Sequence, residues 1–459
     1  MASAVGAAVK TDIRSLSLKT CLGWGSGTIA VAALFNAVNV LLLPYLVDLV
    51  GISAGLAGTL IGLSKLYDAI IDPAIGAASD RSRSPRGRRR PFILVGGVLL
   101  AIAAILLFNV PKSFHGMAVI GYVVFALLVY ATAYATFSVP YMAMPAEMTA
   151  DYHERSYLIS FRVYGVALAS LLAVFVGPVI IGALGGGQSG HSAMSVLLAV
   201  VILVATLFCY KMTASAPFHA VAKPAPMSFR RKLAMIAGNR PFLLLLAIKL
   251  LQLMALAVTQ ASMPFLFKRV LHLGDAMLGL YFLAFYGVMI LSQPLWVRAG
   301  RHFGKRAIFL WITIIYAIAF LSWYFVTPSD PIVFLFVRGI VLGAMGGGVL
   351  LFGQSLLPDT MEWDYRQTGL RREGILAGIY TIAEKLAYAL GSAITGIVLG
   401  MSGYIQGGKG VPVIQPQTAI HAIFVLASIA PMVLLLASCV ALWFYDLSEA
   451  KLARPVTAG

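Results

Sequence analysis

Long apolar runs alternate with short polar breaks along almost the whole chain. A helix that crosses a hydrocarbon core needs about 20 mostly apolar residues, and runs of that length stand near 22–48, 53–79, 92–110, 117–147, 157–184 and 192–212. A polar break carrying Pro217, Lys223, Pro224, Pro226, Arg230, Arg231, Lys232 and Arg240 follows. The runs then resume near 241–267, 276–297, 307–326, 331–357, 374–402 and 419–445. The pattern predicts an all-α polytopic membrane protein with 12 transmembrane helices in two six-helix halves: residues 1–213, a linker over 214–240, and residues 241–459. The first twenty residues hold Lys10, Asp12, Arg14 and Lys19 without an apolar core, so the first span, not a cleaved signal, is expected to direct insertion.

Composition agrees with the pattern, since 60% of the 459 residues are hydrophobic and 11% charged. The formal charge of +17 would suggest nucleic acid in a soluble protein, but its placement gives it another meaning. Loops on one side of the predicted membrane, with both termini, hold 25 Lys and Arg residues, whereas the other side holds four: Lys112, Lys268, Arg269 and Lys409. By the positive-inside rule both termini and the linker are expected in the cytoplasm, with no need of a nucleic acid partner. Cys21, Cys209 and Cys439 lie in or beside apolar runs without metal-binding or disulfide spacing. An internal repeat supports the halving, because Pro145, Asp151 and Tyr152 recur as Pro358, Asp364 and Tyr365 at one offset of 213. The basic turns Gly87-Arg88-Arg89 and Gly304-Lys305-Arg306 recur likewise. Parallel six-helix repeats characterise the major facilitator architecture, in which substrate binds between the halves near mid-membrane.

Ionisable groups inside the runs are functional candidates, since inserting one costs about 2.5 to 3.5 kcal/mol on translocon scales. Lys65, Asp68 and Asp72 share one face of the second span, and two carboxylates against one ammonium leave a negative charge that a proton or cation could balance. The bland alternative is an ion cluster that only holds helices together. Lys249, Gln252 and Gln260 line one face of the seventh span, and Thr381, Lys385, Tyr388 and Ser392 one face of the eleventh. Arg162 and Arg338 are further intramembrane cations, and Glu384 should pair elsewhere than with its neighbour Lys385, because adjacent helical residues diverge by about 100°. Trp24, Thr28, Phe35 and Asn39 share a face of the first span, a stripe that more often packs helices than holds a ligand. Enzyme motifs fail: GYIQGGKG (Gly403 to Gly410) lacks the Ser or Thr that holds magnesium and has no strand before it, and no HExxH occurs. No cofactor is implied, and an ion or substrate gradient must supply the energy.

The stretch YDAIIDPAIGAASDRSRSPRGRRRP (Tyr67 to Pro91) resembles the glycoside, pentoside and hexuronide cation symporters. SVPYMAMPAEMTADYHERSYLISFR (Ser138 to Arg162) and LPDTMEWDYRQTGLRREG (Leu357 to Gly374) resemble that family's two long cytoplasmic connections, and Lys385 falls where the family keeps a lysine. The resemblance implies a symporter that imports a glycoside or related small solute across the inner membrane by alternating access, functional as a monomer. It implies a cation site at Asp68, Asp72 and Ser138, and a substrate path past Thr28, Tyr141, Arg162, Gln260, Lys385 and Tyr388. Arg88, Arg155, Asp359 and Asp364 would latch the cytoplasmic side when it closes. Two departures bear on the substrate: Thr28 stands where the sugar permease branch has an Asp, and Met142 where it has a Trp. The alternative is a proton-coupled carrier of an organic anion or an amphiphilic, lipid-like substrate. Ile71 and Ser138 replace an Asn and an Asp of the sodium-using relatives, so the expected coupling ion is a proton, with sodium at Asp68 and Asp72 as the alternative.

Overall fold

The computed structural model describes residues 16–149, 152–216, 238–369, 372–407 and 413–447. Most of the linker, residues 217–237, and the end of the GYIQGGKG segment therefore lie outside the described residues. Among the described residues, eleven helices are long and apolar enough to cross a membrane: α1 (Leu18–Val50), α2 (Ala54–Arg81), α3 (Arg90–Phe108), α4 (Met117–Met148), α5 (Tyr157–Ala183), α6 (Gln188–Met212), α7 (Arg240–Val270), α9 (Lys305–Phe325), α10 (Ile332–Thr368), α11 (Gly374–Met401) and α12 (Gln417–Phe444). Helix α8 makes the twelfth crossing in two pieces, Asp275–Leu291 and Gln293–Phe303, bent by 42°. The sequence pattern shows an unbroken run there. Pro294 explains the bend, since its ring lacks an N–H and crowds the carbonyl one turn earlier.

Local chemistry sets several of these boundaries. Ser17 caps α1 by accepting the Thr20 N–H at 3.2 Å, and Asn239 caps α7 by accepting the Phe242 N–H at 3.0 Å. Gly51 and Gly369 end α1 and α10 in the left-handed conformation, at φ of 84° and 65°.

The antiparallel crossings give the bundle two faces. The basic face holds the turns between α2 and α3 and between α8 and α9; the far face is opposite. Helices α1–α6 and α7–α12 pack mainly among themselves, and the two sets meet chiefly where α2 lies along α11. Small residues make that approach possible: a Cβ on Gly58 would stand 2.6 Å from the Ser392 carbonyl oxygen, and one on Gly396 would stand 2.4 Å from that of Ala54. Helix α5 meets α8 in the same way, where Gly182 abuts Ala276 and Gly279 abuts Phe175. All these contacts lie in the far half of the bundle.

Candidate functional site

Helix α11 is wedged between α2 of the first set and α7 of the second. Gly391 lets it approach Ala257 on α7, as Gly62 lets Ala389 approach α2. Two adjacent residues of opposite charge, Glu384 and Lys385, therefore face different neighbours, as the angle between them requires. The Lys385 ammonium bonds to Asp68 Oδ2 at 2.7 Å and to Asp72 Oδ2 on α2. Glu384 pairs with Lys249 on α7 at 3.0 Å. At mid-depth α11 thus holds an ion cluster on one side and an ion pair on the other.

The sequence places Lys65 on the same face as Asp68 and Asp72 as their ammonium, and the structure corrects that. Lys65 donates to the Tyr130 hydroxyl at 3.1 Å and lies 4.3 Å from the centre of the Phe35 ring. Helical side chains lean towards the N-terminus, so Lys65 reaches away from carboxylates that follow it in sequence. The bridging cation comes instead from α11, 313 residues from Asp72. Each carboxylate spends one oxygen on Lys385, and Asp68 Oδ1 and Asp72 Oδ1 are buried without a partner. Two such oxygens beside a single ammonium suit a proton or a small hard cation as cargo.

The other candidates fall into distinct environments. Thr28 and Tyr141 satisfy each other at 2.7 Å, Tyr141 donates to the Trp24 carbonyl at 2.6 Å, and its ring stacks on Trp24 with centroids 4.9 Å apart. In this conformation the three are packed among the helices of the first set. Gln260 donates to the Tyr286 hydroxyl at 2.7 Å and keeps its own oxygen buried and unpartnered. Tyr388 meets Phe35 edge to face at 4.9 Å, so the two sets touch through aromatics just beyond Lys385. Arg162 is half-buried on α5 and has no ion-pair partner among the described residues. Ser138 is half-buried on α4, and among the described residues no hydrogen bond joins it to Asp68 or Asp72.

The gating candidates sit at the basic face. Arg88 and Arg89 both reach Glu147, Lys305 reaches Asp359 at 2.9 Å, and Asp364 is held by Arg372 at 2.6 Å and by Asn239 at 2.8 Å. Each of these pairs joins residues of one set. The Arg155 side chain lies outside the described residues.

A second inter-set network escaped the sequence reading. At the far face Asp48 of α1 accepts from Arg269 at 2.7 Å and from the Tyr404 hydroxyl at 2.9 Å, with Lys268 at 3.6 Å. Arg269 also donates to Tyr404 at 2.9 Å, closing the triad. A signal did exist: Asp48 is the one acid within the first apolar run, and Lys268-Arg269 supply half of the sparse basic charge on that side.

A bundle of 12 crossings, its two sets of six joined by charges at mid-depth and sealed at one face, defines a membrane transport protein of major facilitator type. A family described as MFS/sugar transport protein matches residues 23–449, and the chain belongs to it. It is accordingly a multi-pass secondary transporter and not an enzyme. The chain is 27% identical to the glucuronide carrier protein homolog of Escherichia coli K12, over 95% of this chain and 94% of that one. It is 26% identical to the inner membrane symporter YicJ of the same organism, with 95% and 94% covered. Among solved structures it resembles a D-xylose-proton symporter in fold, with a TM-score of 0.66 at 15% identity, covering 95% of this chain and 98% of that one.

Proposed function

We propose that this chain is a cation-coupled symporter for a sugar- or glycoside-like solute, working as a monomer by alternating access with its basic face in the cytoplasm. The observation that carries the reading is the Lys385 bridge, which ties the second set of helices to the two carboxylates of the first. That cluster has one formal negative charge in excess, and a charge inside a bilayer needs compensation. A proton or cation arriving at Asp68 and Asp72 supplies it and weakens the hold on Lys385. Binding at one site is thereby linked to the mutual position of the two sets. The proton is the preferred ion, because Ser138 brings no described oxygen to either carboxylate; sodium is the alternative.

In this conformation the far face is closed by Asp48, Arg269 and Tyr404, and the ion pairs at the basic face stay within each set. This is the arrangement of a carrier open towards the cytoplasm. Uptake into vesicles under an imposed proton or sodium gradient tests the coupling. The Asp72→Asn variant should lose uphill uptake and keep exchange; uphill uptake at the unaltered rate would refute the assignment. A second reading, a carrier of organic anions or amphiphiles, is favoured by the intramembrane cations Lys65, Arg162, Lys249 and Lys385, which outnumber the nearby Asp68, Asp72 and Glu384.

A further inference from the structure

The two partners of the pair on the α7 side of α11 are unequally buried. The Lys249 side chain is 5% exposed, whereas that of Glu384 is 32% exposed. A buried ammonium cannot stand without an anion, but a carboxylate already one-third in water can turn away with little loss. The ammonium is also fixed from another direction, since it lies 4.9 Å from the centre of the Tyr380 ring. Tyr380 is itself anchored, its hydroxyl donating to the Gly353 carbonyl at 3.1 Å. Lys249 is thus a rigidly held cation whose one ionic partner is replaceable. No other acid among the described residues reaches it.

We infer that Glu384 is an internal competitor: it occupies Lys249 in the empty carrier and yields that place to the carboxylate or sulfonate of an incoming acidic sugar. The pair then sets the preference for anionic over neutral substrates. An acid regains the contact that Glu384 gives up, while a neutral sugar leaves the pair closed. Because Glu384 and Lys385 are neighbours on one helix, displacement of Glu384 is felt on the α2 side too, where the coupling carboxylates sit. The inference rests on the reading of the chain as a carrier of sugar-like solutes, and it names the chemical class within that reading.

The test compares 4-nitrophenyl β-D-glucuronide with 4-nitrophenyl β-D-glucoside, which differ by a carboxylate, in proteoliposomes of the full-length protein. Glu384→Gln keeps the shape and removes the competing charge, so the preference for the glucuronide should rise about tenfold, equivalent to about 1.4 kcal/mol. The double variant Lys249→Gln, Glu384→Gln removes both charges, leaves no buried ion unpaired, and should lose the preference. An unchanged or reduced preference in Glu384→Gln overturns the inference and marks the pair as a structural tie, as does failure of both variants to insert. If the unaltered protein moves the glucoside but the ratio does not respond, only the inference falls. If it moves neither probe, the sugar reading falls and the inference goes with it.

Discussion

The two ends of the seam between the six-helix sets are built from different materials. At the far face the sets are joined by glycine contacts and by the Asp48, Arg269 and Tyr404 triad, where Asp48 is 4% exposed and its partners come from the opposite set. At the basic face the charges are more numerous, yet each described pair closes within its own set: Glu147 with Arg88 and Arg89, Asp359 with Lys305, Asp364 with Arg372. On the proposed reading, this difference lets one gate be held shut while the other stands open. A buried pair across the seam resists separation, whereas a pair within a set travels with it and leaves the seam free. The Lys385 cluster lies between the two ends, where, on the proposed reading, an ion biases the choice.

The largest effect is expected from blocking the glycine seam. In Gly58→Val the added side chain meets backbone of Ser392 and Gly396 within 3 Å, which neither helix can relieve by a rotamer change. Transport should cease, with the far face held open. With Cys21, Cys209 and Cys439 replaced, Ala57→Cys, a position fully buried at present, should then react with an impermeant thiol reagent from the far side. An unreactive cysteine in a correctly inserted protein would show that closure does not depend on that contact.

Next comes Lys385→Ala, which leaves Asp68 and Asp72 facing each other without their cation. Breaking a buried pair from one side costs about 3 to 5 kcal/mol, so uptake should fall by about a hundredfold or more while the protein still inserts. Lys385→Arg should rescue only in part, since a planar fork cannot place one nitrogen between two carboxylates as an ammonium does. Full rescue would mean that the charge alone matters.

Asp48→Asn should act less severely. The glycine contacts remain, and the amide still bonds to Tyr404, so the far face should open in a larger fraction of molecules, by about tenfold, without loss of the fold. The same Ala57→Cys reporter reads this shift. A reporter as unreactive as in the parent would remove the triad from the gate.

Much of this comparison was legible in the sequence, and the missing part has one physical cause. Span lengths, the loop asymmetry and the offset of 213 give the crossings and their pairing into repeats, because lipid imposes those patterns locally. The face shared by Asp68, Asp72 and Lys65 follows from helical geometry. What meets that face does not: Lys385 lies 313 residues away from Asp72, and the lean of Lys65 towards Tyr130 depends on a helix packed alongside. Thr28 illustrates the same limit, since only the fold reveals that Tyr141 satisfies its hydroxyl. Asp48 carries no decisive signal of its own, because an acid near the end of a span resembles a solvated terminus until its partners are known.

The smallest effect should come from Asp359→Asn at the basic face. Asp359 is 24% exposed and Lys305 35% exposed, so water screens both groups. Such pairs contribute about 0 to 1 kcal/mol, and this one joins α9 to α10 within a single set, where helix packing already fixes their relation. In the present conformation its loss should change the uptake rate by less than about threefold and leave the far-face reporter unreactive. The repeat-related Glu147→Gln should cost more, because the carboxylate it removes is only 7% exposed and serves both Arg88 and Arg89, although Arg89 keeps Asp80. Should Asp359→Asn instead slow uptake as strongly as Lys385→Ala, Asp359 must bond across the seam in the opposite conformation. The basic face would then carry a latch of its own, equal in weight to the far one, and the contrast between the two ends would belong to this state of the cycle alone.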